Sequence, residues 1–486
     1  MILKFLPFGK ARRDFEETVV WNDVPKAVTP ILKVDEKPAH WYETLLYAWQ
    51  HTLVNISAFA LPLVVAAAVG VTGEGQAVWV NRSLFMMGVA TLIQVTFGSR
   101  LPFMQGQSAI MTSATASVGG LFGAPAMWGG IFAASVSHCL IGLFGLPGIF
   151  RKLFPPLVTG VILAAIAFVL GRLAVIWSFG DGNPVNLIFA ACTVACVFLL
   201  QGLGGRIHPI IQRGAIAFSV IIVGIVASSI FGKMNWDVVA AAPWFALPTF
   251  FPEGGPGIGG HDIQWTFLMV AYIGIMIGVV GSIAESLGDY AALCALTEQK
   301  YKVKHMNRGI AAEGFACTIG SLFGGVPVTS YSQGLGVIAS TKIASRFVVQ
   351  IAAVIMLLYG LSPKVGSFMV AMPRSVVGAV FIIVSGSIFM AAVRLIASSK
   401  PTTANATVVG FSLLIAVLIP PHLMTPGMAD LRNSIPALPR MVLTDTLLLG
   451  VVASIIVYQI VHNLFGGKKE EEEMAKQKAD SAQESG

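Results

Sequence analysis

Charge is what this 486-residue sequence has least of: Asp, Glu, Lys and Arg together make up 11% of it. Soluble proteins carry about 25%. Apolar residues supply 55%, and the mean hydropathy is +0.78, so a water-facing surface over most of the chain is excluded. Cysteine is scarce too. The five (Cys139, Cys192, Cys196, Cys294 and Cys317) lie inside or beside apolar stretches with no CxxC pair, which suggests neither a disulfide framework nor a metal site. No nucleophile elbow or phosphate-binding loop marks a membrane enzyme. Residues 1–42 lack the apolar core and small-residue cleavage site of a signal peptide, and are expected to stay in the cytoplasm. The net charge of +7 calls for no nucleic-acid partner, because basic residues hold the cytoplasmic loops of membrane proteins in place.

Long apolar runs take the place of charge. A helix needs about 20 apolar residues to cross a bilayer. Candidate spans fall near 43–70, 82–98, 103–120, 124–147, 156–177, 185–203, 209–231, 265–290, 306–324, 327–345, 346–363, 372–397, 405–421 and 442–465, fourteen in all. Two of them, 103–120 and 327–345, are rich in Gly and Ser and read as broken helices behind short extended stretches. With both termini cytoplasmic, 24 of the 31 Lys and Arg fall on the cytoplasmic side, and 13 against 7 without the tails. That is the positive-inside asymmetry.

The loop 232–264 divides the spans seven and seven, giving halves 43–231 and 265–465; 466–486 reads as a disordered cytoplasmic tail. Two homologous halves with an odd number of spans must be inverted in the membrane, as in many secondary transporters. The third span of each half carries a related fragment, Gln105-Gly106-Gln107-Ser108-Ala109-Ile110 and Gln333-Gly334-Leu335-Gly336-Val337-Ile338.

An ionisable side chain at membrane depth costs at least about 2.5–3.5 kcal/mol and asks for an explanation. Glu285 and Asp289 sit four residues apart in the eighth candidate span, on one helical face. Two carboxylates in low dielectric make a proton carrier, Asp289 having the alternative of capping near the interface. Glu313, in the ninth span among small residues, is placed to hydrogen-bond backbone amides of a broken helix, or to sit near its own helix start. His51 is either a proton relay or a neutral residue bonded to a carbonyl. His138 has no evident partner. In the tenth span, Pro327 and its β-branched neighbours favour an extended approach, and Gln333-Gly334-Leu335-Gly336 opens a half-helix whose free N–H groups and positive dipole end face the membrane interior. Gln333 supplies a donor and an acceptor for a planar ligand edge, Tyr331 a ring and Ser332 a hydroxyl.

The run Gln333 to Lys342 resembles the signature of the nucleobase–ascorbate transporter family (nucleobase:cation symporter-2): Gln/Glu/Pro, Asn, any, Gly, four of any kind, Thr, then Arg/Lys/Gly. Gly334 stands in place of Asn. Val34-Asp35-Glu36-Lys37-Pro38, the Gln50-His51 pair, Glu285-Ser286-Leu287-Gly288-Asp289 and Glu313 match in order, so the resemblance runs from about 34 to 465. It implies an all-α polytopic protein of fourteen spans in two inverted seven-helix repeats, a core domain (spans 1–4 and 8–11) and a gate domain (5–7 and 12–14). It also implies homodimers in the cell membrane and uptake of a nucleobase with a proton or sodium. Glu285 and Gln333 would bond the base, Ser108 and Ala109 would give backbone contacts, Tyr331, Ser332 and Gly334 would line the site, and Glu313, His51 and Asp289 would support geometry and coupling. Gln333 points to the purine branch, xanthine or urate. Gly334, and Ala109 where many relatives place a stacking Phe, both remove bulk. Uracil, ascorbate or an inorganic anion on the same fold, or a channel, are the rival readings; the acidic interior disfavours the anion, and paired broken helices disfavour the channel.

Overall fold

The computed structural model describes residues 16–21, 29–55, 60–72, 74–148, 154–180, 182–207, 211–212, 215–248, 265–467 and 470. The expected cytoplasmic stretch before 16, positions 249–264 of the long loop and the tail beyond 470 lie outside them.

In chain order the first half forms β1 (Val19–Trp21), α1 (Trp41–Asn55), α2 (Ala60–Ala68), α3 (Glu74–Thr96), β2 (Gln105–Gln107), α4 (Ala109–Leu143), α5 (Pro156–Phe179), α6 (Pro184–Ile207), α7 (Ala215–Ile230) and α8 (Trp236–Ala241). The second half forms α9 (Met269–Leu296), β3 (Tyr301–Lys302), α10 (Val303–Leu322), β4 (Val328–Ser330), α11 (Gln333–Thr341), α12 (Arg346–Leu361), α13 (Pro363–Ala371) and α14 (Arg374–Ala397). α15 (Thr403–Leu423), α16 (Ala429–Ser434), α17 (Ala437–Thr444) and α18 (Thr446–Asn463) complete it.

The protein is mostly helical and multi-spanning. Among the described residues eight helices are long and apolar enough to cross a membrane, and α12 with α13, bent by 75°, would make a ninth. Within the other expected spans the helices are shorter, such as α1 with 15 residues, α2 with 9 and α11 with 9. The helical parts of spans 103–120 and 124–147 lie in α4, which is broken into two helices at Gly123, in the gap between those spans; its φ of +81° only glycine adopts without strain, and Pro125 follows two residues later. Apolar side chains cover all sides of these helices, because one side meets the protein and the other lipid. Phe198 and Leu199 of α6 and Phe411, Leu414 and Leu418 of α15 are exposed accordingly.

α5 packs along α14, α3 along α12, and α4 along both α9 and α10. Small residues let these backbones approach. A β-carbon on Gly314 of α10 would collide with the Cys139 backbone of α4, and one on Gly142 with Ala311.

The segment before α1 is stitched to the opposite half. β1 pairs antiparallel with β3, Glu16 bonds Arg308 at 2.7 and 3.0 Å, and Glu17 bonds Lys302 at 2.6 Å and Lys304 at 2.7 Å. Hydrogen bonds from those two lysines hold the Glu17 carboxyl down at about 2. Further on, Ile31 N–H donates to Lys342 O (2.8 Å), Ala344 N–H to Leu32 O (2.8 Å) and Arg346 N–H to Val34 O (2.9 Å). These bonds tie the segment to the turns before α10 and after α11.

Gly314→Ala is expected to destabilise the protein by about 1–3 kcal/mol through overpacking. Gly410→Ala, where a β-carbon meets nothing within 4 Å, should leave the unfolding midpoint in detergent unchanged.

Candidate functional site

Extended backbone inside a membrane protein must find partners for every N–H and C=O, since lipid offers none. The extended stretches before α4 and α11 solve this first by pairing with each other. β2 and β4 are antiparallel, with Gln105 opposite Ser330, Gly106 opposite Thr329 and Gln107 opposite Val328. Their outer edges are then closed by side chains. On the β2 edge, Asn55 Nδ2 donates to Gln105 O at 2.9 Å and Gln105 N–H donates to Thr91 Oγ1 at 2.9 Å. On the β4 edge, Ser330 N–H donates to Glu313 Oε1 at 3.1 Å, and Cys317 Sγ bonds Val328 O at 3.1 Å. Gly106 is required beneath the Tyr331 ring, which occupies the place of any β-carbon there.

Each strand leads into a helix start. Ser108 caps α4, its Oγ accepting from Met111 N–H at 3.2 Å while its own N–H donates to Pro327 O at 3.3 Å. Ala109 is the first residue of α4 and half-buried. Ser332 precedes α11, which opens at Gln333. The Gln333 side chain lies outside the described atoms, so only its backbone is placed. Gly334 is buried, yet a β-carbon there would meet nothing within 4 Å. That is room a side chain normally fills.

Two acids bind this crossing to the helices beside it. Glu313 of α10, 1% exposed, accepts from Tyr290 Oη at 2.5 Å, Ser286 Oγ at 2.8 Å and the Ser330 backbone. Asp289 of α9 accepts from Ser330 Oγ at 2.8 Å and from Ser332 Oγ at 2.9 and 3.0 Å. Hydroxyls link the two: Ser286 lies 2.8 Å from Thr329 Oγ1 and 3.1 Å from Ser330 Oγ, and Ser282 Oγ donates to Thr329 Oγ1 at 2.9 Å. Gln94 Nε2 of α3 donates to Tyr290 Oη at 2.7 Å and extends the network into the first half.

Of the residues singled out in the sequence, Asp289, Glu313, Ser108, Tyr331 and Ser332 thus meet at the crossing. Asp289 is bonded inside the protein and is no interfacial cap. Glu285 lies one turn before it on α9, and its Oε2 is buried with no hydrogen-bond partner among the described residues. His51 is buried in α1 with Nδ1 unpartnered in the same sense; no hydrogen bond joins it to the carboxylate network. Ser286, Tyr290, Thr329, Ser330 and Gln94 went unremarked as site residues. A signal existed for part of the set, since Ser282, Ser286 and Asp289 share one helical face at spacings of four and three. Gln105 was noted only as part of the repeated fragment. Its side chain is fully buried with both amide atoms unpartnered among the described residues.

A pair of broken helices meeting inside a bundle of apolar helices is the arrangement of a multi-pass membrane transporter. Residues 42–425 match the model of the Permease family designated Xan_ur_permease. The chain belongs to that family, within the nucleobase–ascorbate transporters. It is 30% identical to the uric acid permease PucK of Bacillus subtilis over 73% of this chain and 82% of that one. To the xanthine permease of the same organism it is 27% identical over 90% and 98%. Among solved structures it resembles the murine Solute Carrier 26 family member A9 anion transporter, with a TM-score of 0.59 at 14% identity, covering 88% of this chain and 69% of that one. That likeness concerns the fold alone.

Glu313→Ala would leave the Tyr290 hydroxyl, the Ser286 hydroxyl and the Ser330 N–H without their acceptor, at about 1–3 kcal/mol for each group left unpaired. Glu313→Gln keeps an acceptor oxygen. Unfolding midpoints in detergent should therefore fall in the order wild type, Glu313→Gln, Glu313→Ala, with loss of folded protein in the last.

Proposed function

We propose that the protein is a secondary active transporter that takes up a purine nucleobase, xanthine or urate, through the cell membrane by alternating access. The observation that carries this is the Glu285 carboxylate. A buried carboxylate oxygen with no protein donor is costly, and a ligand bearing N–H groups relieves the cost. The purine N–H groups meet Glu285, and the other edge of the base meets Gln333 and the Ala109 N–H in the first turn of α4, with Ser108 and Gly334, whose own N–H groups bond Pro327 O and Tyr331 O, beside it. Tyr331 and Ser332 line the site. The relatives named for uric acid and xanthine support the purine assignment, while the unfilled space at Gly334 enlarges the pocket relative to the family pattern.

Proton coupling follows from the charges. Glu285, Asp289 and Glu313 share the interior, and among the described residues none of the three pairs with Lys or Arg. Moving such a cluster between two states requires that a proton, or a sodium ion, travel with it. Glu285 exchanges the proton, Asp289 and Glu313 hold the geometry, and His51 is a further relay.

Fourteen spans in two inverted repeats accommodate the packing. Let β2 and α4 correspond to β4, α11 and α12, α3 to α10, α5 to α14, α6 to α15, and α7 to α18. The contact of α3 with α12 then has its counterpart in α10 with α4, that of α6 with α14 in α15 with α5, and that of α7 with α6 in α18 with α15. On this reading α5–α7, α14, α15 and α18 form the gate, the remainder the core, both termini are cytoplasmic, and two copies associate as a homodimer in the bilayer.

Purified protein warmed with xanthine, urate, hypoxanthine, guanine, adenine, uracil and ascorbate tests the reading. A ligand bound only by the folded state, at about 100 times its dissociation constant, adds about 2.7 kcal/mol. Xanthine or urate should raise the midpoint and Glu285→Gln should abolish the rise. Stabilisation by uracil or ascorbate alone overturns the purine assignment. Full pH-dependent uptake by Glu285→Gln in vesicles would remove that residue from coupling.

A further inference from the structure

Outside the crossing, one cavity of about 330 Å³ is lined by Asp35, Lys37, Thr96, Arg100, Arg346, Phe347 and Gln350. Three cations and one carboxylate face it, a net charge of +2 in an otherwise charge-poor protein. Three chain segments build it: the stretch before α1, the end of α3, and the start of α12.

Two of the cations are held there by different devices. Arg346 lies 3.0 Å from Asp35, so one anion already sits against the wall. Lys37 Nζ stands 4.5 Å above the Phe347 ring, a cation–π contact that fixes the ammonium without neutralising it. Arg100 is exposed on a left-handed backbone (φ +60°), its N–H donating to Gln94 O at 3.2 Å, and its guanidinium makes no hydrogen bond or ion pair among the described residues. Gln350 Nε2 donates to Thr96 Oγ1 at 3.0 Å and closes the floor. The cavity also faces the N-terminal end of the 16-residue α12, where the helix dipole favours an anion.

We infer that this cavity is a binding site for a phosphate group, taken from a phospholipid headgroup or from free phosphate. Two guanidinium forks and an ammonium suit the tetrahedral oxygens. The cavity lies at the ends of α3 and α12, the level at which membrane helices meet the headgroup layer and basic pockets hold anionic lipid. Its position gives binding a consequence. Arg100 is five residues before β2, and Arg346 is five residues beyond the end of α11. A phosphate bridging Lys37, Arg100 and Arg346 braces both legs of the crossing against the segment before α1. The site therefore stabilises one arrangement of the crossing without touching the transported ligand.

The full-length protein in detergent with inorganic phosphate, against chloride at matched ionic strength, provides one arm of the test. Nanodiscs of phosphatidylcholine with and without phosphatidylglycerol provide the other. The readout is the unfolding midpoint as a function of probe concentration. The double variant Lys37→Gln/Arg100→Gln removes two cations with no ion-pair partner, and Lys33→Gln/Arg206→Gln removes two exposed charges outside the cavity. Stabilisation of the wild type, with an apparent affinity about tenfold weaker in the first variant and unchanged in the second, supports the site. Response to phosphate in detergent assigns it to the free ion, and response to phosphatidylglycerol alone assigns it to lipid. No stabilisation by either probe, or equal losses in both variants, or none in either, overturns the inference.

Discussion

Backbone polar groups that enter a membrane protein in extended form must be hydrogen-bonded there, and the crossing of β2 and β4 depends on that requirement. Three residues per strand satisfy one edge of each by pairing. The opposite edges need side chains, and these come from α1, α3 and α10. Five elements are thereby locked to one another by the needs of two short strands. An acid at Glu313 is part of that solution, because a carboxylate accepts from three donors at once where a neutral hydroxyl cannot. Its cost of burial is offset by Tyr290, Ser286 and the Ser330 N–H.

The same constraint separates the acids by task. Glu313 and Asp289 are saturated with donors from the crossing and its flanks, which makes them fixed parts of the frame. Glu285, one turn away, keeps a buried oxygen without a donor among the described residues. On the proposed reading the saturated groups hold geometry and the unsaturated one exchanges with a ligand or proton. Alternating access, on that reading, moves this crossing as a unit, with α5 and α14, packed along each other, on the gate side. Small residues at the α4–α10 contact keep the frame tight.

Much of this was legible in the sequence. Charge scarcity and apolar run lengths gave the class, and Val326-Pro327-Val328 followed by Gly-rich sequence marked the extended approach to a half-helix. Glu313 was readable as a partner for nearby backbone amides because an acid among small residues in an apolar span has few other uses. Partners distant in sequence were not readable. Gln94 meets Tyr290 across 196 positions and Asn55 meets Gln105 across 50, and neither pair leaves a local pattern. The break in α4 at Gly123 falls in the gap between candidate spans 103–120 and 124–147. The N-terminal stitching to β3 and to the turn after α11 was hidden as well, since the segment has no periodicity and its partners lie nearly 300 positions away.

A structure of the purified protein with xanthine or urate bound tests the central claim most directly. The account predicts the base at the β2–β4 crossing, with Glu285 Oε2 within hydrogen-bond reach of its N–H groups and the first-turn amides of α4 and α11 on its other edge. Glu313 should keep its bonds to Tyr290, Ser286 and Ser330. A base bound away from both strands, or one that displaces Glu313 from Ser330 while leaving Glu285 untouched, would contradict it.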